Sequence, residues 1–356
     1  MARGPRREIK QLVVEVTEAC NHACMHCYNY WRPRRGDVPV LPVVDATVER
    51  GRRVLTRPDF VRLVKKIKRD ARLHYIALSG GEPFLRTDLP KIVGDLSDQC
   101  EGLVTITNGT LITKERLRRM PERSNFEITL FSAHRETHDA IAGRKSFDRL
   151  METFLLLHKH HCGLVIACVL SRLNAADIAL TMELAVAVGA QAVMLNRVNL
   201  SRNVMPAARE LVPSPEALRE TLAAADRMAE KYGLGVVLSV PVPPCVVDPR
   251  EFSHLHAGWC PRGGKDAYYT LGCTGLVRPC NHTSVVLGDL LQQKWFEIVE
   301  SKQAREYWAT VPEECRDCSH PLKDSCAGGC RAAAQECYGS TAMIDPFVNF
   351  ARAAQA

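Results

Sequence analysis

One pattern constrains this chain more than any other. From Leu12 to about Tyr232, short β-rich runs alternate with longer amphipathic segments. Candidate strands are LVVEV (12–16), YIALS (75–79), LVTIT (103–107), FEITLFS (126–132), LVIACVL (164–170) and AVMLN (192–196). Candidate helices fall between and after them, near 58–70, 88–99, 113–120, 146–161, 177–188 and 214–232. SPEA at 214–217 places a Ser N-cap ahead of a proline at the first helical position. A βαβα order demands a parallel sheet with right-handed crossovers, and it puts the site at the carboxyl ends of the strands. Six such units predict an α/β fold, a partial (β/α)6 barrel rather than a closed eightfold one.

The pattern changes at SVPVPPC (239–245), where three prolines mark a linker or a bent entry to a new unit. Beyond it the chain is rich in cysteine and glycine and poor in long periodic segments. The expected division is therefore a barrel over 1–238 and a small metal-stapled, cysteine-rich C-terminal domain over 239–356. The basic start MARGPRREIK is followed by too short an apolar run for a signal peptide or a membrane span. Fifteen cysteines in such a chain point to metal ligands in a reducing compartment, and so to a cytoplasmic protein, rather than to disulfides.

The cysteines cluster, three within 20–27 and eight within 260–337. In EACNHACMHCYNYW, Cys20, Cys24 and Cys27 follow the first strand directly. A structural zinc site or an ordinary four-iron cluster uses four protein ligands, so three leave one metal corner free. A Cys3His zinc site completed by His22 or His26 is the alternative reading of the same donors. After the second strand, LSGGEPFLR offers paired glycines that let backbone approach a ligand closely.

Together these two motifs resemble the radical S-adenosylmethionine (AdoMet) superfamily, over roughly residues 10–235. The resemblance implies a 4Fe–4S cluster on Cys20, Cys24 and Cys27. Its open iron chelates AdoMet, whose reductive cleavage yields a 5′-deoxyadenosyl radical. It also implies cofactor contacts from His26, in the position before the third cysteine, and from Gly80, Gly81, Glu82 and Pro83 near the methionyl amine. Asn108 in TNGT and Ser132 in LFSAH match later strand-end positions that approach the methionine and ribose. HDAIAG (138–143) resembles the family's HDxxRG stretch, with Ala142 where arginine is common and Arg144 close by.

The C-terminal set resembles the SPASM domain, which houses auxiliary iron–sulfur clusters. Cys260, Gly275 and Cys280 are followed by Cys315-x2-Cys318, Cys326-x3-Cys330 and Cys337. Seven residues separate Cys318 from Cys326 where five are usual, and Cys337 follows Cys330 after only six. The resemblance assigns Cys260, Cys280 and Cys330 to a first auxiliary cluster and Cys315, Cys318, Cys326 and Cys337 to a second. Cys273 is then the candidate fourth ligand of the first cluster. Unligated, it leaves an iron open to substrate or serves as a hydrogen donor. A zinc ribbon is the competing reading of CRDC and CAGGC. Cys100, Cys162 and Cys168 read as buried small hydrophobes, and Cys245 as a packing residue.

The SPASM branch implies an enzyme that crosslinks, epimerises or cyclises a ribosomal precursor peptide, using a flavodoxin or ferredoxin as electron donor. Radical oxidation or rearrangement of a small metabolite or haem precursor is the alternative. Against alcohol oxidation, Asn281 follows Cys280 where family dehydrogenases carry an aspartate base, leaving His282 as a substitute. A non-catalytic electron-transfer protein would gain nothing from an open, oxygen-sensitive iron. Eleven residues before the first strand leave no leader-binding domain, so either a separate protein presents the peptide or the enzyme reads it directly. The arginine-rich segment 32–57 is either a solvated loop or a landing site for an acidic peptide. No nucleic-acid motif accompanies the charge of +7.

Overall fold

The computed structural model describes residues 7–31, 51–261 and 267–354, with short pieces of backbone between 34 and 49. Its main sheet has eleven strands. In chain order these are β1 (Arg7–Glu15), β2 (Ala71–Ser79), β3 (Gly102–Thr107), β4 (Asn125–Thr129), β5 (Gly163–Leu170), β6 (Ala192–Arg197), β7 (Gly235–Leu238), β8 (Leu255–Ala257), β9 (Tyr269–Leu271), β10 (Leu276–Arg278) and β11 (Gly288–Asp289). Their spatial order is β8-β7-β6-β5-β4-β3-β2-β1-β9-β10-β11. All pairings from β8 through β1 to β9 are parallel, and the last two are antiparallel. The sheet is not closed, as expected of a partial barrel.

The six expected strands are all present, and the helices follow the periodicity. Helix α1 (Arg57–Asp70) buries Phe60, Leu63, Val64 and Ile67, and opens with a Thr56–Asp59 capping box. Helix α2 (Leu89–Ser97) packs beside α1 over β2 and β3, and a short helix α3 (Lys114–Arg118) follows β3. Between α3 and α5 (Phe147–Lys159) lies a separate helix, α4 (Arg135–Ala142), that the periodicity did not resolve. It ends at left-handed Gly143, and Asp139 Oδ1 accepts from the amides of Ser146 and Phe147, which starts α5. Helix α6 (Ile178–Ala187) precedes β6, and α7 (Pro215–Tyr232) follows it. As the sequence predicts, Ser214 caps α7 by accepting from Ala217 N at 3.2 Å. The strand expected over 126–132 stops at Thr129, since Phe131 O is taken by Asn174 Nδ2 (2.7 Å) instead of a neighbouring strand.

Strands β7 and β8 extend the parallel sheet past the six expected strands, and β9–β11 join its other edge beside β1. Two buried ion pairs fasten the later chain to the barrel. Arg278 of β10 meets Glu15 of β1, and Arg197 of β6 meets Asp345, the N-cap of a helix α8 (Pro346–Ala353). Both side chains of the second pair are 0% exposed.

Candidate active site

Alternate residues of the strands line one cavity of about 360 Å³, a volume suited to a small-molecule site. Gln11 and Val13 come from β1, Glu127 and Thr129 from β4, Ala167 and Val169 from β5, and Met194 and Asn196 from β6. Over their carboxyl ends lies the loop carrying Cys20, Cys24 and Cys27, all three of which face the cavity.

That loop is held by backbone. Gly81 N donates to Thr17 O at 2.8 Å and Glu82 N to Ala19 O at 2.7 Å. A Cβ on Gly81 would stand 2.1 Å from Ala19 O, so the GGEP glycines are required by the approach of the cysteine loop itself. From the other side, Ala23 N and Met25 N donate to Ala142 O and Ile141 O (3.1 and 3.0 Å). Gly143, at φ +63°, passes Ala23 O too closely for any Cβ. Arg144 Nη1 donates to Asn21 O at 2.7 Å, so the arginine after HDAIAG supports the cysteine loop. His26 lies edge-on to Phe131, 4.8 Å between centroids, and lines the cavity.

Gly80, Gly81 and Asn108 line the cavity as well. The Glu82 carboxylate turns away and ties two motifs together. It accepts from Phe84 N (3.0 Å), Thr107 Oγ1 (2.7 Å) and Asn108 N (2.8 Å). Burial pushes its carboxyl above the usual range, against the pull of these donors. Pro83 is buried at the start of a short 3₁₀ turn. Ser132 is fully buried outside the cavity lining, donating to Asp177 Oδ2 (2.6 Å) and accepting from His134 N (2.8 Å).

Three C-terminal cysteines, Cys260, Cys280 and Cys330, line this same cavity. Tyr268 OH lies 3.2 Å from Cys280 Sγ. Burial pushes the Cys280 thiol up to about 11 and raises Cys330 too, with the Asp345 carboxylate adding to the rise. Backbone amides point at these sulfurs. His22 N donates to Cys20 Sγ, His282 N to Cys280 Sγ and Ala333 N to Cys330 Sγ, each at 3.4 Å. Cys162 and Cys168 donate S–H to carbonyls of His160 and Phe131, and Cys280 Sγ also donates to Asn281 Oδ1 at 3.6 Å. An amide aimed at a sulfur favours its thiolate form. Among the described residues, no three His, Cys, Asp or Glu side chains close on a single metal ion.

Cys273 stands apart from Cys260, Cys280 and Cys330. It is buried in the main core within the turn joining β9 to β10, where its carbonyl accepts from Leu55 N. Cys280 sits beside Tyr268 beyond the other end of the hairpin. Cys315, Cys318, Cys326 and Cys337 lie outside the cavity lining and are partly exposed. Of the arginine-rich segment, Arg32, Arg34, Arg35 and Arg50 have side chains outside the described residues. Arg52, Arg53 and Arg57 pair with Asp289, Asp59 and Asp95.

Much of the wall carries no motif. Tyr28, Trp259, Tyr268, Tyr307 and Trp308 make it aromatic. Tyr28 stacks on His282 at 3.9 Å and accepts from Asn281 Nδ2 at 2.7 Å. Burial, with Arg197 and Arg278 nearby, holds the His282 imidazole down to about 3, so it is neutral and a poor base at pH 7. The wall's single carboxylate among the described residues is Glu127, which burial pushes up to about 7. Its only sequence signal is a glutamate at an inward position of a strand.

Comparison with known proteins agrees with this geometry. A family model described as the radical SAM superfamily matches residues 14–185, and one described as an iron–sulfur cluster-binding SPASM domain matches 260–319. An AdoMet-dependent heme synthase of Methanosarcina barkeri is 26% identical, over 94% of each chain. A PqqA peptide cyclase of Methylocella silvestris is 25% identical, over 94% of this chain and 86% of its own. Among solved structures, SuiB of Streptococcus suis bound to S-adenosylmethionine superposes with TM-score 0.72 at 14% identity, covering 95% of this chain and 76% of SuiB. A structure named as native anSMEcpe with bound AdoMet gives TM-score 0.70 at 16% identity, covering 96% and 95%.

Proposed function

Since the chain belongs to the radical SAM superfamily and carries a SPASM domain, we propose that it generates a 5′-deoxyadenosyl radical in order to modify a peptide. It is an enzyme whose cofactors are 4Fe–4S clusters and AdoMet. When bound, these supply one-electron cleavage of the sulfonium and a radical able to abstract hydrogen. Cys20, Cys24 and Cys27 would hold the AdoMet-binding cluster, with Gly80, Gly81, Asn108 and His26 around the cofactor. Cys260, Cys280 and Cys330 would hold the first auxiliary cluster.

One observation carries the reading: both cysteine triads line one cavity, so a substrate lodged there lies between two iron–sulfur sites. The aromatic wall suits an apolar or aromatic side chain of a peptide. Relatives named as PqqA peptide cyclases and a structure of SuiB bound to its precursor peptide SuiA support the same class. Carbon–carbon crosslinking, cyclisation and epimerisation all begin with the hydrogen abstraction that this arrangement positions. The proposal includes a flavodoxin- or ferredoxin-type electron donor, a separate leader-binding protein and a cytoplasmic setting. No helix among the described residues is long and apolar enough to cross a membrane.

The relative named as a heme synthase favours a second reading, oxidation of a haem precursor. A tetrapyrrole with several carboxylates wants cationic partners. The described wall offers one guanidinium, Arg197, already engaged by Asp345. The test is 5′-deoxyadenosine formation by anaerobically reconstituted enzyme. Stimulation by a neighbouring-encoded peptide, with a new mass in that peptide, supports the proposal. Stimulation by a carboxylated porphyrin and by no peptide overturns it.

A further inference from the structure

We propose that Cys245, in the proline-rich linker, is the fourth thiolate of the outer cysteine group. It would bind one corner of a four-iron cluster with Cys315, Cys318 and Cys326, in the place the sequence pattern gives to Cys337. The inference rests on reading the SPASM cysteines as cluster ligands.

The first argument is placement. Val246 N and Val247 N both donate to Pro243 O (2.8 and 3.2 Å), a tight turn that holds Cys245 near its apex and exposed. Three residues on, Asp248 Oδ2 lies 3.1 Å from His320 Nε2, two residues past Cys318, which docks the linker against the Cys315–Cys318 loop. The four thiols stand within electrostatic reach of one another. The Cys245 charge acts on Cys315 and Cys326, and the Cys318 charge acts on Cys245.

The second argument is what surrounds the sulfurs. Ala327, Gly328 and Gly329 are consecutive left-handed residues (φ 44°, 91° and 85°), and Gly329 N donates to Cys326 O at 2.9 Å, a tight turn that brings the Gly328 and Gly329 amides beside the Cys326 sulfur. Burial raises the Cys245 thiol, and against that the Arg352 guanidinium lies beside its sulfur. A cation beside a sulfur favours thiolate and metal-bound sulfur.

Cys337 has the opposite surroundings. It sits in the last turn of the helix Arg331–Tyr338, packed against the main hydrophobic core. The charges that reach it are the carboxylates of Asp345 and Glu336, which disfavour a thiolate. This explains the short gap after Cys330: the helix turns Cys337 inward, and the linker supplies the ligand from the other direction. Ligation needs no redox partner. Each S–Fe bond forms as its thiol releases a proton to solvent.

The test uses the full chain, anaerobically reconstituted. Thiol alkylation is mapped by mass spectrometry with and without prior iron chelation. Cys245, Cys315, Cys318 and Cys326 are expected to be protected in the loaded protein and modified after chelation, with Cys337 labelling alike in both states. Iron, sulfide and electron paramagnetic resonance of Cys245→Ala and Cys337→Ala then follow, with circular dichroism as the folding control. Cys245→Ala should lose about a third of the iron, four of about twelve, and one cluster signal, whereas Cys337→Ala should keep both. Equal labelling of Cys245 in both states, or loss of that signal in Cys337→Ala alone, overturns the proposal. A wild-type chain that holds about four irons and leaves all outer thiols reactive would sink the auxiliary-cluster reading itself, and this inference with it.

Discussion

The inner and outer cysteines of this chain differ in what surrounds them, and the difference separates two jobs. Cys260, Cys280 and Cys330 open onto the cavity shared with Cys20, Cys24 and Cys27, behind an aromatic wall. Cys245, Cys315, Cys318 and Cys326 lie outside that cavity, each with some exposure to solvent. A redox centre that meets substrate must exclude water, while one that meets an external electron donor must reach the surface. Access to the shared cavity, more than ligand type, distinguishes the two groups.

The largest effect should come from the inner set. Cys24→Ala is expected to reduce 5′-deoxyadenosine formation to the enzyme-free level and to remove about four irons. Cys318→Ala should sharpen the contrast: turnover driven by flavodoxin should fall steeply, whereas AdoMet cleavage driven by dithionite should survive in large part. Next is the fastening between barrel and C-terminal region. Arg197→Met leaves Asp345 buried and unpaired, and should cost about 3–5 kcal/mol in anaerobic denaturant unfolding. Arg219→Met, which breaks the exposed pair with Glu251, should cost under about 1 kcal/mol.

The next effect depends on pH and concerns Glu127. Its folded-state carboxyl is raised from 4.5 to about 7, so the native protein holds a proton that the unfolded chain releases. That contribution is complete below about pH 4.5 and is lost as pH rises through 7. Glu127→Gln should therefore flatten the stability profile, gaining on the order of 3 kcal/mol on wild type at pH 8 relative to pH 4.5. Smallest is Arg352→Met. It should leave iron content intact and lower the potential of the outer cluster by about 40 mV, the one-electron equivalent of one hydrogen bond of about 1 kcal/mol.

Local pattern carried the barrel: six strands lie where β-rich runs recur, and Ser214–Pro215 starts its helix as read. Helix α4 was hidden because eight residues between two breaks give too little periodicity. The joining of β9 to β1 could not be read, since it depends on partners some 257 positions apart, Leu12 and Tyr269. Motif spacing brought Cys20, Cys24, Cys27, Gly80, Gly81 and Asn108 to one cavity, but it was silent on side-chain direction. In the structure Glu82 accepts from the Asn108 amide and Ser132 from the His134 amide. Cys245 read as packing because its neighbours come from 70 to 81 positions later in the chain.

The Asp345 carboxylate has a consequence for biosynthesis. It grips Arg197 from 148 positions away, receives Cys330 N at 2.8 Å and caps its own helix through Phe347 N at 3.0 Å. Until that residue has emerged from the ribosome, Arg197 lacks its counter-charge and the Cys330 amide its anchor. The barrel can take shape during synthesis, but the inner auxiliary site is assembled only once Asp345 is in place. A nascent chain stalled before Asp345 would be a barrel without that site.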